Sequence, residues 1–83
     1  MDIRGQFGRI LRELRSSKGL SQEELAHRAD MSVPYLSDLE RGRSAPSLSM
    51  LVDLARGLGV HPADLLKDLV LDDAPPSRKR PRD

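Results

Sequence analysis

Apolar residues recur at helical spacing along this chain and never alternate long enough to make a strand. Phe7, Ile10, Leu11 and Leu14 fall at i, i+3, i+4 and i+7, with Arg9, Arg12 and Glu13 mostly on the other side, so the pattern predicts a first amphipathic helix. It stops in "SSKGL", where Lys18 suits a helix C-terminus and Gly19 supplies a left-handed cap residue. Ser21-Gln22-Glu23-Glu24 is a capping box that opens a second helix, whose stripe is Leu25, Ala26 and Ala29. Asp30 must then make a sharp turn, since aspartate tolerates positive φ better than most residues. Ser32 caps a third helix with Pro34 in its first turn, and that helix runs to Arg41 and ends at Gly42. "SAPS" is a loop, after which Ser47 caps a fourth helix with Leu48, Leu51, Leu54, Ala55 and Leu58 inward, closed by "GLGV". Pro62 opens a short fifth helix from Ala63 to Lys67 or Leu69. The expected fold is all-α, a compact five-helix bundle over residues 7–71. Residues 1–6 read as an N-terminal arm and 72–83 as a disordered basic tail, because "APPSRKRPRD" mixes proline with charge and has nothing to bury.

Composition narrows the function to binding. With 83 residues there is room for one small core but none for a catalytic cleft with supporting layers. There is no cysteine, so neither a disulfide nor a thiolate metal site is available, and a reducing compartment fits. His27 and His61 without cysteine give no ligand set, so no metal and no cofactor are expected. No glycine elbow surrounds Ser37 or Ser49, so no catalytic residues and no enzyme are expected either. No apolar run approaches the roughly 20 residues that span a bilayer, and a cytoplasmic, nucleoid-associated protein is expected. The net charge of +1 hides a segregated distribution. Residues 1–18 carry five cations against Asp2 and Glu13, residues 19–40 are net acidic, Arg41 and Arg43 add two cations, and the tail is basic.

Two short helices joined by a tight turn, the second ending at a glycine, form a helix-turn-helix unit. From about Phe7 to Leu66 the chain resembles the lambda-repressor-like (Cro/repressor, XRE) helix-turn-helix family, through "GLSQEELA", "YLSDLERGR" and "PSL…L..LA..LGV" in that order and spacing. Its length and helix plan resemble the short controller proteins of restriction-modification systems and small phage repressors. The segment "SVPYLSDLERGR" is also similar to the N-terminal domain of damage-response repressors of the Deinococcus type. The resemblance implies a sequence-specific double-stranded DNA-binding transcriptional regulator, by default a repressor. A dimer would fit an inverted-repeat operator with half-sites roughly 34 Å apart.

Drawn as a wheel, the third helix puts Leu36 and Leu39 inward with Tyr35 beside them, and Val33, Pro34, Ser37, Asp38 and Arg41 outward. The family places base-edge contacts at Val33, Pro34 and Asp38, and Ser37 shares their face. A carboxylate accepts from cytosine N4, while valine and proline can touch a thymine methyl. Many relatives carry Gln, Arg, Ser or Thr there. Glu40 falls on the inner side, and the resemblance pairs it with Arg15 in a structural ion pair. Phosphate contacts are expected from Ser21 and Gln22 at a helix N-terminus, from Ser32 and Tyr35, and from Arg41, Arg43 and Ser44, with Arg4 or Arg9 as additions from the first helix. Blander readings stand beside these: the Ser21 box is a cap in any case, Tyr35 is equally a packing residue, and Arg41 and Arg43 would be solvated charges in an arbitrary helical protein. "SRKRPR" reads first as a solubilising end, then as a nonspecific DNA arm, and last as an import-like run.

The apolar residues left over at the end, Val60, Leu65, Leu69, Val70 and Leu71, are the expected homodimer seam. With no room for a sensing domain, regulation falls to concentration, dimerisation or a regulatory protein partner. Two rival readings remain: a DNA-binding antitoxin of a toxin–antitoxin pair, and a helix-turn-helix protein-interaction module with little base readout, which the Val33-Pro34-Asp38 face permits.

Overall fold

Each helix begins where a short polar side chain replaces the missing intrahelical acceptor. In the computed structural model, which describes residues 2–71, the N-caps are Asp2, Ser21, Ser32 and Ser47, and each side chain accepts the N–H three residues on. The helices are α1 (Ile3–Ser17), α2 (Gln22–Ala29), α3 (Val33–Glu40) and α4 (Leu48–Leu58), followed by a 3-10 turn (Pro62–Leu65); no strand occurs among the described residues. The four ends also share one device. A left-handed residue stands at Gly19, Asp30, Gly42 and Gly59, and the N–H after it donates to the carbonyl five residues back. Asp30 takes φ 58° and is the only described residue other than glycine with positive φ, as the sharp turn between α2 and α3 requires.

The core is built mainly of leucine. Leu11, Leu25, Leu36, Leu39, Leu54 and Leu65 are fully buried, with Phe7, Ala26, Ala29, Ala55 and Leu58 around them. Burial of each leucine contributes about 1.5–3 kcal/mol. α2 packs on α4 and α1 packs on α3, with the tight turn holding α2 and α3 together. α1 and α3 cross very closely at Gly8. A Cβ there would lie 2.5 Å from the carbonyl oxygens of both Leu39 and Glu40, so only glycine fits. Gly42, at φ 76°, is pressed in the same way against the first turn of α1, with a Cβ position 2.9 Å from the Gly5 Cα.

Three expectations are corrected here. Residues 2–6, expected as part of an arm, are the cap and first turn of α1, and Gln6 is buried. Its side chain acts as a surrogate peptide group: Nε2 donates to the Val70 carbonyl at 3.0 Å, and Oε1 accepts from the Val70 N–H at 2.7 Å. The fifth helix is only the 3-10 turn, capped by His61, whose Nδ1 accepts the Ala63 N–H at 2.9 Å. Leu48, expected inward, is 78% exposed, because it sits in the first turn of α4, ahead of the buried Leu51 and Leu54. The expected basic tail, 72–83, lies outside the described residues. Among the described residues no helix is long and apolar enough to cross a membrane.

Candidate nucleic-acid interface

α3 is held from one side and open on the other. Leu36, Leu39 and Glu40 are buried; Ser32, Pro34 and Arg41 are exposed; Ser37 and Asp38 are half-buried along the outer face. Val33 and Tyr35 are half-buried and pack against the core from its edges. The wheel therefore places the inner and outer faces correctly, but part of Val33 is structural. Ser32 accepts the Tyr35 N–H at 3.2 Å, which fixes the start of the helix and, with Pro34 lacking an N–H, leaves Val33 as the first-turn residue whose N–H is not taken up by Ser32.

Behind this face lies a buried ion pair. Arg15 Nε donates to Glu40 Oε2 at 2.6 Å, Nη2 donates to Oε1 at 3.0 Å, and Nη1 donates to the Leu20 carbonyl at 2.8 Å. The fork-to-fork geometry holds the planar guanidinium against the carboxylate, and donating to Glu40 keeps the Arg15 pKa above its ordinary value against the opposing effect of burial. Gln22 joins them, its Nε2 donating to Glu40 Oε1 at 3.0 Å. That contact is absent from the sequence reading, which gave Gln22 to a phosphate alone. Arg15, Gln22 and Glu40 come from α1, α2 and α3, so one carboxylate ties together the three helices that present the interface.

The capping box of α2 forms in full: the Glu24 N–H donates to Ser21 Oγ at 3.0 Å, and the Ser21 N–H donates to the Glu24 carboxylate at 2.8 Å. Those hydrogen bonds hold the Glu24 pKa below its ordinary value. They also occupy Ser21 structurally, leaving the backbone N–H groups at this end as the donors available to a phosphate. Arg43 is exposed and Ser44 half-buried on the loop after α3, beside the exposed Arg41. An open cleft of 620 Å³ runs between α1 and α3, bordered by Arg9 and Arg12 on one side and by Ser37 and Arg41 on the other, with Arg15, Gln22 and Glu40 at its floor. Arg12, not among the residues singled out from the sequence, also lines this cleft. Its i, i+3 spacing from Arg9 was the available signal, but nothing local says which side of α1 meets α3.

The expected dimer seam is divided by the structure. Leu65 is fully buried and belongs to the core, which removes it from any seam. Val60 and Leu69 are half-buried against the core, while Val70 and Leu71 are 71% and 74% exposed. Ile3, Leu48 and Leu66, which the sequence reading did not select, are exposed and border one apolar groove of 300 Å³ with Phe7, Leu51 and Leu69.

A tight-turned helix pair, the second helix anchored on its inner face and ending at a left-handed glycine beside two arginines, defines a helix-turn-helix domain. Residues 11–65 match the family described as Helix-turn-helix (HTH_3), and the chain belongs to that family, a DNA-binding regulatory one and not an enzymatic one. It is 54% identical over 57 residues to the HTH-type transcriptional regulator DdrOP3 of Deinococcus deserti, a match covering 69% of this chain and 44% of that protein. The chain thus spans less than half the length of that relative. It is 44% identical over 66 residues to the control protein C.BamHI of Bacillus amyloliquefaciens, covering 78% of this chain and 82% of that one. Among solved structures, the restriction-modification controller protein C.AhdI from Aeromonas hydrophila superposes with a TM-score of 0.72 at 43% identity, over 74% of this chain and 92% of that one.

Proposed function

We propose that this chain is a sequence-specific double-stranded DNA-binding transcriptional regulator that represses from an inverted-repeat operator as a homodimer. The observation that carries the reading is the division of α3: Leu36, Leu39 and Glu40 fix it to the body, leaving Pro34, Ser37, Asp38 and part of Val33 on a face that enters the major groove. Asp38 accepts from a base-edge amino group and Pro34 contacts a methyl, with Ser37 beside them. Affinity comes from elsewhere. Arg41, Arg43 and Ser44 bind backbone phosphates beyond the end of α3, and the N-termini of α2 and α3, at Ser21, Gln22, Ser32 and Tyr35, bind them at its start.

The dimer forms through the apolar face of Ile3, Leu48, Leu66, Val70 and Leu71. These are the large exposed apolar residues among those described. Ile3, Leu48 and Leu66 border one apolar groove, and Val70 and Leu71 follow Leu69 of its lining in the chain, as a self-complementary patch needs. Selection from a random duplex pool at physiological salt tests the whole reading, because only base or shape readout survives there. Enrichment of an inverted repeat with half-sites one helical turn apart is the expected result. Recovery of unselected sequence from folded protein refutes it.

A further inference from the structure

The cleft between α1 and α3 concentrates positive charge more strongly than the face beside it. Arg9, Arg12 and Arg41 are exposed, and none of them has a carboxylate partner among the described residues. At the floor Arg15 and Glu40 cancel each other, so the mouth is lined by three guanidinium groups without an ion-pair partner and by Ser37. No other carboxylate borders it; Glu13, Asp64 and Asp68 border a separate depression on the other flank of α1, which Arg9 also touches without forming an ion pair there. Converging guanidinium groups beside a hydroxyl suit a tetrahedral oxyanion held by charge-assisted hydrogen bonds. The close crossing at Gly8 brings the α1 arginines within one cleft of α3, and Ser37 and Arg41 belong to the outer face of α3 as well. The cleft is therefore continuous with the reading face.

We infer that Arg9, Arg12, Ser37 and Arg41 form a second phosphate site, which takes a phosphodiester of the DNA backbone and extends the footprint from the recognition helix onto α1. The inference rests on the DNA-binding reading above. The site sets the register and tilt of the duplex without reading sequence, because phosphates are the same at every base pair.

The test is the salt dependence of DNA binding by the full chain, followed by fluorescence anisotropy on a selected duplex and on a scrambled one. Each neutralised phosphate contributes about 0.9 to the slope of log K against log salt. The Arg9→Gln/Arg12→Gln double variant is expected to lower the slope by about 0.9 on both duplexes, the share of the one phosphate it releases. Arg9→Lys/Arg12→Lys is expected to hold the slope near wild type, which separates lost charge from a damaged fold. Arg28→Gln is the control, since Arg28 lies on the α4 side of α2, its Cβ 3.3 Å from where a Gly57 Cβ would stand. If the glutamine double variant keeps the wild-type slope while Arg43→Ala lowers it, DNA binding stands and the cleft site is overturned. An equal drop in Arg28→Gln also overturns it, because bulk charge would then explain the effect. A slope unchanged even by Arg43→Ala removes the DNA-binding reading and this inference with it.

Discussion

Replacing Arg15 by methionine should come close to unfolding the domain. The Glu40 side chain is 3% exposed and receives two hydrogen bonds from Arg15 and one from Gln22. Methionine keeps most of the aliphatic stem but withdraws the countercharge, leaving a buried carboxylate with a single amide donor. Breaking a buried pair in this way costs about 3–5 kcal/mol. A domain of this size holds about 4–10 kcal/mol in total. In urea, at about 1 kcal/mol/M for so small a chain, the midpoint should fall by roughly 3 M or more. The converse change is milder. Arg15 is 14% exposed, so in Glu40→Leu its guanidinium can turn to water while its stem stays packed. The double variant Arg15→Met/Glu40→Leu removes both charges and should recover much of the loss, with a coupling energy of about 2–3 kcal/mol. Circular dichroism at helical wavelengths during urea titration of the four proteins measures the cycle. An Arg15→Met variant within about 1 kcal/mol of wild type, or a double variant as unstable as the two single losses combined, would refute the reasoning.

The other predictions concern separate parts of the molecule. Asp38→Ala should relax preference at one base pair of the selected site by about 1–3 kcal/mol and leave the salt slope unchanged, as read by competition among single-base operator variants. Gly8→Ala forces a Cβ to 2.5 Å from two backbone carbonyl oxygens of α3, so α1 and α3 must separate; a stability loss of about 1–3 kcal/mol or more is expected in thermal melts. Glu24 has its pKa lowered by the capping box, so its contribution is present above the ordinary glutamate value of about 4.3 and is lost as pH falls through the lower folded value. Glu24→Gln, which can still cap, should therefore flatten the fall in stability between pH 5 and pH 3 relative to wild type, measured by urea midpoints at each pH.

What the sequence revealed was what neighbouring residues decide. Ser21 with Glu24, Ser32 before Pro34, Asp30 in the turn and the glycines at 19, 42 and 59 all act within one helical turn, and each is found in its expected role. The start of α1 was not legible because Gly5 and Gly8 weaken a helix by propensity; they are retained because Gly42 and the α3 carbonyls press against them. Leu48 and Leu65 show the limit of periodicity, which puts a residue on an apolar face but does not say how far the neighbouring elements reach across it. Leu65 is covered and Leu48 is not. The Gln6 to Val70 clasp joins residues 64 apart, and no local pattern signals it. The arginine cleft is likewise tertiary, since Arg9 and Arg12 meet Arg41 only once α1 crosses α3.

The division of α3 into an anchored face and an open one has a consequence for redesign. Leu36, Leu39 and Glu40 carry the attachment of the helix to the body, whereas Pro34, Ser37 and Asp38 lie on the side turned away from it. On the proposed reading, foldedness and sequence preference rest on different side chains of the same eight-residue segment. If these three residues read bases as proposed, transplanting them from another family member should redirect the protein to a new operator while the melting temperature stays near that of the parent.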